Sequence, residues 1–297
     1  MDWKTTINGF KHYLRLERAM SANTVEAYLN DVTKLRQFLE PQGIHPHEVT
    51  SAQIQDFLTW INGFGLSAYS QARILSGIKT FYLYMALEHG LHENPTALIQ
   101  APRLGRKIPD VLNVAEIDRL IRAIDLSAPE GMRNKAMLEV LYGCGLRVSE
   151  LVGLKISNLF LDVEFIKVEG KGSKERLVPI GAQAANYLRI YLGEVRVHQK
   201  IKPGYEDFVF LNRRGMPLTR VMVFLIIKDL AAAIGLKKRI SPHTFRHSFA
   251  SHLVEGGADL RAVQEMLGHE SITTTEIYTH VDRDYLRSVI TQYHPRS

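Results

Sequence analysis

The residues with the greatest chemical potential lie in four short stretches: 143–151 (GCGLRVSEL), 170–180 (GKGSKERLVPI), 243–253 (HTFRHSFASHL) and 267–280 (LGHESITTTEIYTH). They offer Arg147, Lys171, His243, Arg246, His269 and Tyr278. His243 and Arg246 stand three residues apart, so on a helix an imidazole and a guanidinium share a face and can address one anion such as phosphate. Taken alone, that pair supports an anion site and nothing more. Each of the other residues is equally bland by itself: a lysine at a turn is usually solvated and a tyrosine on an amphipathic helix is usually core. Their order and spacing carry the information.

The elements that must position them are marked locally. Ser241-Pro242 is a helix start, since serine caps free backbone N–H groups and proline needs no donor at the first helical position. Phe245, Phe249, Leu253 and Val254 read as the buried side of that helix, and Gly256-Gly257 ends it. Asp259 caps a second helix whose buried stripe is Leu260, Val263, Met266 and Leu267, and Gly268 stops that helix directly before His269. Thr273 to Tyr278 opens a third helical stretch. Upstream, a helix over 133–142 breaks at Gly143-Cys144-Gly145 and delivers Arg147 to the start of a helix carrying Glu150 and Leu151. Lys171 sits at the tip of a β-hairpin, FIKV and RLVP about a glycine-rich turn. A short strand is expected over 208–211, then a Thr219-capped helix, and Asn113 with Glu116 forms a capping box at the head of this half of the chain.

The first hundred residues read instead as four amphipathic helices. Asn23 with Glu26 and Thr50 with Gln53 resemble capping boxes, and the fourth helix runs from about Ser67 to Gly90. Lys11, Arg15, Arg73 and Lys79 form a charged face there that can meet a phosphate backbone. The expected division is a helical domain over 1–93, a proline-punctuated basic linker over 94–110 and a second domain over 111–297.

Composition limits the function classes. The net charge is +6 over 297 residues, and it is uneven: residues 1–100 hold 8 Lys+Arg against 9 Asp+Glu, the remainder 29 against 22. The positive side coincides with the four stretches and suits a polyanionic partner. The lone Cys144 excludes an internal disulfide, no apolar run approaches a membrane span, and MDWKTTINGF lacks a secretory pattern, so a reducing cytoplasm without membrane insertion is expected. There is no His-Glu-x-x-His, no Cys-x-x-Cys and no phosphate-binding Gly-x-x-x-x-Gly-Lys-Ser/Thr, so neither a metal nor any other cofactor is expected.

Together, the four stretches resemble the motif set of the tyrosine recombinases, the phage integrase family, at all six positions. The most specific elements are His-x-x-Arg and Leu-Gly-His followed nine residues later by Tyr. Length and the GLRVSEL wording are nearest to the Xer group. The resemblance implies a mainly α fold: a small four-helix core-binding (SAM-like) domain, without the arm-binding domain of lambda-type integrases, and a larger helical catalytic domain with a small β-hairpin. The two would form a C-shaped clamp on DNA. It implies Tyr278 as the nucleophile that becomes a 3′-phosphotyrosine, Arg147 and Arg246 on the phosphate, Lys171 as the acid for the leaving 5′ oxygen, His243 as proton carrier and His269 as donor to the phosphate. The implied partners are a double-stranded DNA recombination site, a second, XerC-like recombinase in a heterotetramer, and an FtsK-type DNA translocase, in the resolution of chromosome dimers at a dif-like site. An integrase of a mobile element and a catalytically inactive DNA-binding clamp are the alternatives. Val281, Leu286, Val289 and Ile290 lie on one apolar face after Tyr278, which would dock either on its own domain or on a neighbouring subunit.

Overall fold

The computed structural model describes residues 1–102, 105, 110–170, 174–268 and 280–297, the side chains of 280–282 excepted. The chain forms two compact units, Met1–Lys107 and Ile108–Ser297.

The first unit is helical: α1 (Trp3–Leu16), α2 (Ala22–Leu39), α3 (Ser51–Asn62) and α4 (Ala68–His89). Local capping sets the starts. Thr50 and Gln53 exchange the two hydrogen bonds of a capping box, and Gly90 ends α4 at φ 62°. The second helix begins two residues earlier than Asn23 would place it, because Ser21 is extended and its hydroxyl accepts from the Thr24 N–H at 3.3 Å. Phe10, Leu35, Phe57, Ile78 and Phe81 fill the core. Arg73 does not belong to a free charged face, since its Nη1 and Nη2 donate to the buried Asp31 at 2.7 and 2.8 Å and tie α4 to α2. Gly77 leaves room for that carboxylate, which a Cβ would approach to 2.8 Å. Part of the expected linker packs here: Thr96 is buried, Ile99 joins the core, and Asn94 accepts from the Thr96 N–H.

The second unit holds α5 (Val114–Arg122), α6 (Gly131–Gly143), α7 (Val148–Gly153), a three-stranded sheet, α8 (Ala182–Ile190), α9 (Arg220–Ala233), α10 (Pro242–Gly256), α11 (Leu260–Leu267) and α12 (His280–Tyr293). The almost wholly buried α6 is its centre, packed by α8 and α10. The antiparallel sheet runs β1 (Leu159–Phe160), β2 (Phe165–Glu169), β3 (Glu175–Pro179), with Ile166 opposite Val178 and Val168 opposite Arg176. Opposite residues share a face, so Arg176 enters the buried face with three aliphatic side chains. The expected strand over 208–211 is absent: Phe208 bridges Lys155 and Leu211 bridges Pro217, so two different neighbours each take a single bridge and no ladder grows. The helix α8, continued by a wider turn over Tyr191–Val195, was not marked in the sequence. Phe245, Phe249 and Leu253 are core, but Val254 and Leu260 face outwards, one step off the buried stripes of α10 and α11. Leu286, Val289 and Ile290 are buried within their own chain, where α12 lies against α10 and β3.

Candidate active site

Arg147 and Arg246 reach the site from different elements. Gly145 makes the turn that separates α6 from α7 at φ 57°, where a Cβ would come within 2.4 Å of the Phe249 ring. That turn leaves Arg147 extended at the N-cap of α7 and points the Gly145 carbonyl at α10, where it accepts from Arg246 Nη1 at 2.9 Å. The start of α10 is fixed by the Ser241 N–H, which donates to Thr244 Oγ1 at 3.1 Å, and by Ser248, whose hydroxyl donates to the Thr244 carbonyl and accepts from the Leu112 N–H.

Between these elements lies a cavity of about 230 Å³, with Leu146, Val148 and Pro242 as apolar wall and Arg147, His243 and Arg246 as its charged and titratable groups. The structure thus brings three of the six sequence-predicted residues to one cavity. His243 is exposed and stacks on His247 at 5.0 Å between ring centroids, while Arg246, also a lining residue, is buried. Lys171, His269 and Tyr278 lie outside the described residues. The Gly170 N–H donates to the Lys174 carbonyl at 2.7 Å and closes the hairpin below 171–173. Gly268 ends α11 in the left-handed conformation at φ 65°, immediately before 269–279.

Two residues not singled out in the sequence hold the site together. Glu150, one turn into α7, is buried beneath the arginines. Its Oε1 accepts from Arg147 Nη1 at 2.8 Å and from Arg176 Nη1 at 2.7 Å; its Oε2 accepts from the Arg147 N–H at 2.8 Å and from Arg176 Nη2 at 2.9 Å. Arg246 Nη1 lies 3.9 Å from Oε2, an electrostatic neighbour rather than a hydrogen-bond partner. The same three arginines also hold three successive carbonyls at the end of α11: Arg176 Nε that of Met266, Arg246 Nη2 that of Leu267, and Arg147 Nη2 that of Gly268. Cations are favourable at a helix C-terminus, where carbonyls have no intrahelical donors. The spacing of Glu150 from Arg147, one helical turn, and the alternation that puts Arg176 on the face of Val178 were the signals available for finding both residues.

The electrostatics favour an anion. Burial would raise the Glu150 carboxyl, but hydrogen bonding and charge from Arg176, followed by the amide and guanidinium of Arg147, hold it below the ordinary glutamate range. Burial, with the neighbouring Arg147 next, pulls Arg246 down to about 10, which leaves it cationic at neutral pH. Two guanidiniums bonded to one carboxylate, with a third 3.9 Å from it, leave the cluster at and behind the cavity with an excess of two positive charges. His247 is held below the usual imidazole range by burial and then by His243 and Arg246. Among the described residues no group of three or more histidine, cysteine or acidic side chains is placed to hold a metal ion, and no helix is long and apolar enough to cross a membrane.

Comparison with known proteins places this geometry in a group. The profile of the phage integrase family matches residues 110–284, and that of the phage integrase N-terminal SAM-like domain matches residues 7–89. The chain is 45% identical over 297 residues to tyrosine recombinase XerD of Chlorobaculum tepidum, covering 99% of this chain and 97% of that protein. It is 42% identical to tyrosine recombinase XerD of Listeria monocytogenes, covering 98% and 99%. Among solved structures, XerA recombinase is 31% identical with a TM-score of 0.51 and full coverage of both chains. The XerH site-specific recombinase bound to a palindromic difH substrate aligns with a TM-score of 0.71 over 92% of this chain and 81% of that one; at 24% identity this is a likeness of fold.

Proposed function

The chain belongs to the phage integrase family, and from that premise we propose that it is a site-specific tyrosine recombinase of Xer type, of the XerD branch, resolving chromosome dimers at a dif-like site. The observation that carries the chemistry is the convergence of Arg147, Arg246 and His243 on one cavity, with Arg147 held from behind by the buried Glu150 and Arg246 by the carbonyls of Gly145 and Leu267.

In the proposed reaction the scissile phosphate enters that cavity. The guanidiniums of Arg147 and Arg246 donate to its non-bridging oxygens, and their charge is worth most in the pentavalent transition state, where negative charge on those oxygens is greatest. The Tyr278 oxygen attacks phosphorus and its proton passes to His243, whose exposed ring at the cavity edge is open to an entering hydroxyl. The P–O5′ bond breaks, the departing oxygen takes a proton from Lys171, and His269 donates to the phosphate. The products are a 3′-phosphotyrosine and a free 5′-hydroxyl. The phosphotyrosine keeps the energy of the ester, so religation to a new 5′-hydroxyl runs without ATP. The DNA site is the substrate. A second, XerC-like recombinase and an FtsK-type translocase complete the proposed assembly, which acts in the cytoplasm.

The test is a nicked half-site duplex, carrying the chromosomal site of the chain's own genome, incubated with the protein in EDTA. Wild type forms a covalent DNA adduct. Arg246→Lys keeps a charge but loses the fork, and its adduct forms about 100-fold more slowly. No wild-type adduct, or an Arg246→Lys variant as fast as wild type, overturns the reading.

A further inference from the structure

Behind the two arginines assigned to the phosphate stands a third, Arg176, which does not line the cavity and which nothing in the reaction uses directly. It is inward-facing on β3, among Ile166, Val168 and Val178. Burying a guanidinium in such a place is costly unless it is paired with an opposite charge and hydrogen-bonded. Here the costs are met by two partners from distant parts of the chain. Both terminal nitrogens grip Glu150, and Nε donates to the Met266 carbonyl at 2.8 Å. The Arg176 side chain also packs on Gly268, where a Cβ would come within 3.0 Å of its Cδ.

An ionised carboxylate offers about four acceptor sites. Arg147 fills two of those on Glu150 and Arg176 fills the other two. Glu150 is therefore saturated, and Arg246 at 3.9 Å is left aside, its fork committed to the weaker, neutral carbonyls of Gly145 and Leu267. If Arg176 lost its fork, two acceptor sites on a carboxylate whose side chain is 1% exposed would be empty. Arg246 is the cation already facing one of them, and it would turn onto the carboxylate and away from the phosphate.

We propose that Arg176 is a positioning residue for strand cleavage: it saturates Glu150 so that Arg246 stays available to the phosphate, and it fixes the end of α11 from which 269–279 departs. This rests on Arg147 and Arg246 being the phosphate ligands. A lysine at 176 would carry the charge but cannot span both Glu150 oxygens and the Met266 carbonyl together.

The experiment uses the full chain and the nicked half-site duplex at saturating protein, measuring the single-turnover rate of adduct formation and, separately, the DNA Kd. Arg176→Met lowers the rate about tenfold or more while Kd stays within about twofold, because the loss is in the transition state. Arg176→Lys recovers part of the rate. In a Glu150→Gln background there is no buried charge to saturate, so adding Arg176→Met costs about twofold or less, a coupling that a merely structural arginine would not show. Should Arg176→Met fail to fold, the same cycle is run with Arg176→Lys. Rates at the wild-type level for both Arg176 variants, or losses at 150 and 176 that simply multiply, overturn the proposal. Arg246→Lys and Arg147→Ala are measured alongside. If they lose cleavage while the Arg176 variants do not, only this proposal fails; if they cleave like wild type, the reading of the site fails with it.

Discussion

Burial of His294 makes the stability of the second unit depend on pH. It follows α12 and is 4% exposed, with its ring 4.8 Å from that of Tyr142 and 5.4 Å from that of Phe249. Its Nδ1 accepts from the Arg296 N–H, so the proton of the neutral ring sits on Nε2. The groups facing it are unsympathetic to charge: His252, bonded to the Tyr142 hydroxyl at 2.7 Å, and Arg296, itself paired with Glu139 and Asp118. Burial, then His252 and Arg296, push the folded-state value down from 6.5 to about 3. The unfolded imidazole takes a proton as pH falls below its ordinary value, and the folded one does not until about 3. The unfolded state therefore binds more protons between those limits, and stability is full above 6.5 and lost as pH falls towards 3. At about pH 5 the loss is about 2 kcal/mol, from 1.36 kcal/mol per unit over roughly 1.5 units. Urea unfolding followed by far-ultraviolet circular dichroism measures it. Trp3 and Trp60, the only two tryptophans, lie in the first unit, so their fluorescence reports that unit separately. His294→Phe keeps an aromatic ring against Tyr142 and removes the titration, so the difference in stability between about pH 7.5 and 5 shrinks by about 2 kcal/mol. An unchanged difference in that variant would mean that His294 is not the group that titrates.

Two further substitutions test the geometry at the two units. Gly145→Ala meets both a left-handed backbone and the Phe249 ring, so the second unit loses about 2–4 kcal/mol in urea unfolding and adduct formation falls as the carbonyl under Arg246 shifts; wild-type stability would mean the turn is not as described. Arg73→Ala strands the fully buried Asp31, and tryptophan fluorescence in urea should report a loss of about 2–3 kcal/mol confined to the first unit, reduced from the full cost of a broken buried pair because Arg73 is half exposed; no loss would mean that Asp31 is satisfied by other means.

What could be read in the sequence was what local chemistry dictates. Thr50, Asn113, Thr219, Ser241 and Asp259 each begin a helix because a cap is decided within four residues. Where two caps compete, as Ser21 and Asn23 do, periodicity does not choose, and the residue with the extended backbone wins. The grouping of Arg147, His243 and Arg246 was legible from the motif order, yet their support was not. Glu150 and Arg176 meet across 26 residues of chain, and Arg176 reaches Met266 across 90. The alternation along β3 puts Arg176 on the buried face of Val178, but which partners it meets there is set by residues far along the chain. Val254 and Leu260 show the converse, apolar residues whose helix phase turns them to solvent.

In the proposed reaction Tyr278 attacks the phosphate gathered by Arg147 and Arg246. The most direct measurement is mass-spectrometric mapping of the tryptic peptide that remains linked to DNA after wild-type protein has reacted with the nicked half-site in EDTA. The expected result is a single modified residue, Tyr278, and no adduct from Tyr278→Phe. Linkage through the exposed Tyr285 or through Tyr293, or an adduct that survives Tyr278→Phe, would contradict it.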